Sequence, residues 1–129
     1  MLCTELRKVA RRMANNDVTK KVPMELICML ILRERDMYGY EMVQAIAERS
    51  GGRLQLAEAA LYMAMYKLVQ KGYVTDRREP ESGKRGKTRI YYHLEPTGRA
   101  YLAALIDDYN NTTLGVQSFM AHTEGMGRS

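Results

Sequence analysis

The spacing of apolar residues divides the chain into segments with two different periods. In TELRKVARRMANND, residues 4–17, Leu6, Val9, Ala10 and Met13 recur at helical spacing, and Arg7, Lys8, Arg11 and Arg12 occupy the opposite side. The pattern predicts an amphipathic helix that needs a partner surface. Pro23 suits the first turn of a second helix, where its missing N–H costs little. That helix, PMELICMLILRER, is apolar on nearly every side up to Leu32 and is expected to be the central buried element. Asp36 to Gly39 predict a turn. From Tyr40 to Ser50 a third helix carries Met42, Val43, Ile46 and Ala47 on its inner stripe, and Gly51-Gly52 close it. Arg53 to Leu56 are short enough for a turn or an edge strand. A fourth helix, AEAALYMAMYKLVQK, lines up Leu61, Met65, Leu68 and Val69 along one face and stops at Gly72.

Beyond Gly72 the period shortens to two. YVTDRR reads as a strand, PESGKRGK is rich in turn residues, and RIYYHL alternates, with Ile90, Tyr92 and Leu94 on one face and Arg89, Tyr91 and His93 on the other. Such a hairpin is not stable alone in water, so it must pack on the helices. Thr97 is a plausible N-cap for a last helix with Leu102, Leu105, Ile106, Tyr109, Val116 and Met120 along its apolar side. The poor helix formers Asn110, Asn111 and Gly115 predict a bend or fraying there. The fold expected is mainly α with a small β-hairpin, a winged helix-turn-helix flanked by N-terminal and C-terminal helices for dimerisation. Its parts are a basic amphipathic helix over 1–21, a DNA-binding domain over 22–96, a dimerisation helix over 97–122 and a disordered tail over 123–129.

Composition narrows the class. At 129 residues, 46% hydrophobic and 27% charged, the chain suits one globular domain. The net charge of +5 is unevenly spread: residues 1–21 hold six Lys/Arg against two Asp/Glu, residues 71–99 eight against four, and residues 100–129 one against three. Positive charge gathered at the N-terminus and hairpin favours a polyanion partner, although a solvated charged face is the commoner fate of any single run. The only cysteines, Cys3 and Cys28, read as reduced thiols of a cytoplasmic protein. The longest apolar run, Leu26 to Leu32, is far below the ~20 residues that span a bilayer, so no membrane partner is expected.

Catalytic groupings are missing from the pattern. There is no glycine-rich phosphate loop after a strand and no Ser/His/Asp grouping, and His93 and His122 stand apart from the cysteines. No enzymatic activity, cofactor or metal site is expected. Double-stranded DNA is the partner this pattern suits. Ala59, Met63, Tyr66 and Lys67 face outward from the fourth helix, with Tyr62 at the flank, while Lys84, Arg85, Lys87 and Arg89 form a cationic wing. Tyr38 can set its hydroxyl on a phosphate. Because few of these side chains read base edges strongly, shape readout and phosphate contacts should dominate. Leu6, Val9 and Met13 of the first helix, with Leu102, Leu105, Tyr109, Val116, Phe119 and Met120 of the last, are expected to build a homodimer seam. A small apolar or aromatic effector is expected to lodge at that interface.

The run ILRERDMYGYEMVQAIAERSGGRLQLAEAALYMAMYKLVQKGYV and the later KTRIYYHLEPTGRAYL resemble the PadR family of bacterial transcriptional regulators. The most specific parts are Tyr-Gly-Tyr-Glu at 38–41, Leu-Tyr at 61–62, Lys-Gly-Tyr-Val at 71–74 and Tyr-Tyr-x-Leu…Thr-Gly-Arg at 91–99. The resemblance implies a winged-helix homodimer held by its C-terminal helix, of the family's shorter subtype, often a repressor of stress or efflux genes. The chain departs from the family pattern where proline usually follows the Leu-Tyr and Gly-Thr precedes it; here Met63 and Ala59-Ala60 stand instead. The function expected is therefore a repressor that binds a pseudo-palindromic operator as a homodimer and is relieved by a small molecule. The alternative is a winged-helix module that binds protein or ligand with little sequence-specific affinity for DNA.

Overall fold

The nearly all-apolar second segment sits where its composition requires, at the centre. In the computed structural model, which describes residues 22–127 except Ser82 and Lys84, helix α1 spans Met24–Leu32. Leu26, Ile27, Cys28, Met29, Ile31 and Leu32 are all buried in it. Helix α2 (Gly39–Arg49), helix α3 (Glu58–Gln70), a β-sheet and the long helix α4 (Pro96–Gly127) pack around it. Burial, reinforced by the negative charge of Glu25, pushes the Cys28 thiol up to about 12. The expected regions 1–21, with Leu6, Val9 and Met13, lie outside the described residues, as does Lys84.

The turn expected at Asp36–Gly39 is corrected. Met37 and Tyr38 form a short strand, β1, paired antiparallel to β3 (Thr88–Leu94) with Met37 opposite Tyr92 and Tyr38 opposite Tyr91. Strand β2 (Val74–Pro80) flanks β3 on the other side, giving the order β1-β3-β2. The cause is packing: Met37 is buried in the core and the Tyr38 ring meets the edge of Tyr91 at 5.5 Å between centroids. The fold is thus a mainly α winged helix with three strands rather than two. Helix α2 starts at Gly39, where the Glu41 carboxylate accepts the Tyr38 N–H, as a carboxylate three residues into a helix can.

Helix α4 departs most from expectation. It begins at Pro96, and the Thr97 hydroxyl donates to the Gly72 carbonyl at 2.8 Å, tying α4 to the turn after α3 instead of capping its own helix. Tyr101 stacks on Tyr73 with centroids 4.3 Å apart and donates its hydroxyl to Glu25 at 3.1 Å. Leu102, expected at the dimer seam, is 1% exposed and belongs to the chain's own core. The helix then continues through Asn110, Asn111 and Gly115 to Gly127, so the fraying expected at those residues is not observed, and residues 123–127 of the expected tail are helical. Its 32 residues span about 48 Å at 1.5 Å per residue.

Candidate nucleic-acid interface

Helix α3 has two unlike faces because its apolar residues repeat at i, i+4 and i+7. Leu61, Met65 and Leu68 are 0% exposed against the core, while Met63 and Tyr66 are 62% and 63% exposed. Ala59 and Lys67 share that open face. The Tyr66 hydroxyl accepts a hydrogen bond from Gln70 Nε2 at 2.7 Å, which leaves its own proton directed to whatever approaches the helix. Tyr40, at the start of α2, repeats the arrangement with Gln44 at 2.8 Å and is half-exposed. Sequence reasoning missed Tyr40, although the Tyr-x-x-x-Gln spacing that it shares with Tyr66 was the available signal.

Tyr62 is engaged inside the protein more than its flank position suggests. Its ring lies over the backbone of Gly39, where an added Cβ would stand 2.6–2.7 Å from the ring and hydroxyl. Desolvation in that contact, then the charge of Glu58, raises its pKa. The contact fastens the first turn of α2 to α3, the two helices of the helix-turn-helix unit.

The wing divides its charged residues between two faces. One face carries Tyr38, Tyr91 and Arg77 across the three strands, with Arg89 one pair further out. There the Arg89 guanidinium lies 4.3 Å above the Tyr38 ring and pairs with Glu81 at 2.6 Å. Arg77 lies over Tyr91, pairs with Glu79 at 2.7 Å, and also bonds Asp36. His93 Nδ1 reaches the other oxygen of Asp36 at 2.8 Å. Burial disfavours ionisation of Asp36, yet the hydrogen bonds from His93 and Arg77 outweigh it and hold the carboxyl below its ordinary range. Arg89, expected on a phosphate, is thus committed to partners of its own, as is His93. By contrast, Lys67, Arg85 and Lys87 are exposed and form no ion pair among the described residues.

A second exposed apolar surface lies on α4. Beyond the core, Tyr109, Val116, Phe119 and Met120 are 48%, 53%, 69% and 51% exposed along one long helix. Leu105 is half-buried at the base of the stripe. Beside it, α1 and α4 enclose an open cavity of about 590 Å³ with Pro23, Leu26, Leu105 and Tyr109 among its walls. Among the described residues, no helix is long and apolar enough to cross a membrane.

The family described as "Transcriptional regulator PadR-like family" matches residues 28–104. A protein of Lysinibacillus sphaericus, itself uncharacterised, is 32% identical over 112 residues, covering 87% of this chain and 100% of its own. A transcriptional regulator from Clostridium thermocellum superimposes with a TM-score of 0.67 at 26% identity, covering 74% of this chain and 88% of its own. Bacillus subtilis PadR, solved in complex with operator DNA, shares the fold with a TM-score of 0.57 at 21% identity; the match covers 64% of this chain and 45% of that one.

Proposed function

Because the chain belongs to the PadR-like family of transcriptional regulators, we propose that it acts in the cytoplasm as a homodimeric repressor on a pseudo-palindromic operator. The observation that carries this reading is the open face of α3, bearing Ala59, Met63, Tyr66 and Lys67, set beside a wing whose tip holds the unpaired cations Arg85 and Lys87. Lys84 would add to that tip. A helix that projects few base-reading groups but stands beside free cations suits phosphate and shape readout in a major groove. That a protein with the same fold has been solved in complex with operator DNA supports DNA as the partner.

Dimerisation rests on the apolar stripe of α4, with Leu105 and Tyr109 at its base and Val116, Phe119 and Met120 beyond the core. A monomer would leave that stripe in water, and a second copy is the cover that a two-fold operator requires. Residues Leu6, Val9 and Met13 join the seam in this reading. The cavity between α1 and α4 gives a small apolar or aromatic effector a place beside the same seam.

The test is a mobility-shift selection with the full-length protein on genomic fragments over a range of salt concentrations. Enrichment of particular fragments over bulk DNA, with binding that weakens as salt rises, is the expected outcome. Failure to enrich any fragment would favour the rival winged-helix module that binds protein or ligand.

A further inference from the structure

The register of the wing distinguishes Arg77 from Arg78, which are adjacent in sequence and fall on opposite faces. Val74 pairs with Leu94, Asp76 with Tyr92 and Arg78 with Ile90. Since side chains alternate across a strand, Arg78 and Ile90 continue the face on which Val74, Tyr92 and Leu94 are buried. That face is the one turned toward the helices, and α3 packs against β2 at its base. Past Asp76 the core ends, and the face becomes open: Ile90 is 38% exposed and Arg78 is exposed, its side chain making no hydrogen bond or ion pair among the described residues.

The two arginines that a charge count would treat alike, Arg77 and Arg89, are neutralised on the other face by Asp36, Glu79 and Glu81. Three carboxylates and a histidine therefore accumulate where the wing turns away from α3, and a free guanidinium with an apolar neighbour remains where it turns toward it. Asp76, one pleat nearer the core on the same face as Arg78, makes no ion pair with it and sets a negative limit to the cationic surface.

We infer that Arg78 is a DNA-contacting residue on the helix-side face of the wing, binding a backbone phosphate, and that Arg77 is a positioning residue which fixes the wing through Asp36. This inference rests on the DNA-binding reading above. Ile90, the register partner of Arg78 on this face, would cover the adjoining sugar edge while the exposed guanidinium meets the phosphate.

The experiment is fluorescence anisotropy of a labelled 30-base-pair duplex of random sequence, titrated with full-length protein from about 50 to 200 mM salt. One phosphate contributes about 0.9 to the slope of log affinity against log salt, so Arg78→Gln should flatten the slope by about 0.9 and weaken binding roughly eightfold at 0.1 M salt. Arg78→Lys, which retains the charge, should keep the wild-type slope. Arg77→Gln should lower affinity with the slope unchanged, since no phosphate contact is removed. Thermal unfolding of each variant checks that the fold is intact. A wild-type protein that binds this duplex and an Arg78→Gln slope equal to wild type would overturn the inference while leaving DNA binding in place. Wild-type protein that binds no duplex at any salt would overturn both.

Discussion

Gly39 and Gly98 mark the places where one element crosses another with no room for a side chain. At Gly98 an added Cβ would overlap the Tyr73 carbonyl and crowd Leu94, which accounts for glycine in the Thr-Gly-Arg run. At Gly39 the obstacle is the Tyr62 ring. Because the far end of the exposed Tyr62 ring can give way, Gly39→Ala should destabilise the protein by about 1 kcal/mol in chemical denaturation, the low end of the cost of overpacking. Adding Tyr62→Ala should recover part of that loss, a non-additivity that only a direct contact produces. Cys28, buried beside Glu25, should stay protonated at neutral pH and resist iodoacetamide until the protein unfolds; mass spectrometry of alkylated peptides would show it, and rapid native labelling at Cys28 would contradict it. Asp36 has a folded pKa below its ordinary 3.8. Its contribution to stability is therefore in place above that value and lost as pH falls through the lower folded one. Asp36→Asn should flatten the acid limb of stability against pH, and an unchanged limb would remove the wing strut from the account. The buried stripe residues of α1, α2 and α3 were legible from periodicity. The pairing of Arg77 and Arg89 was not, because it depends on carboxylates brought close by strand register and the chain's return to Asp36.

At the scale of elements, α2 and α3 were legible to within a residue, since each has a sustained 3.6-residue period and a glycine stop, while α1 ends three residues earlier and α4 five residues later than expected. Strand β1 was not, for two residues are too few to show any period, and its conformation is set by Tyr91 and Tyr92 more than fifty positions later. Helix α4 was misjudged at Asn110, Asn111 and Gly115 for a different reason. Each costs less than about 1 kcal/mol relative to alanine, and such local penalties do not interrupt a long helix when neighbours propagate it. The consequence is an apolar stripe carried beyond the core on a continuous rod. Val116→Glu with Phe119→Glu should shift full-length protein from dimer to monomer in light scattering at micromolar concentration, while the helix-turn-helix core keeps its cooperative unfolding. A variant that remains dimeric would place the seam elsewhere.

For the molecule as a whole, the uneven charge visible in the sequence becomes more specific once folded. Of the cationic residues between 71 and 99, Lys71 pairs with Glu25, and Arg77 and Arg89 are held by acidic neighbours, so the net charge of the segment overstates its free surface. Of that segment, Arg78, Arg85, Lys87 and Arg99 remain exposed with no ion pair among the described residues, and Lys67 adds a free cation on the open face of α3. Affinity should therefore come from a few wing cations and orientation from α3, with two such units related by the α4 seam. The most direct test is hydroxyl-radical footprinting of the full-length protein on a fragment enriched from genomic DNA. Two symmetry-related protected patches are expected, with centres about 10–10.5 base pairs apart or a multiple of that, as paired recognition helices on one face of the duplex require. A single unpaired patch, or uniform protection along the fragment, would contradict it.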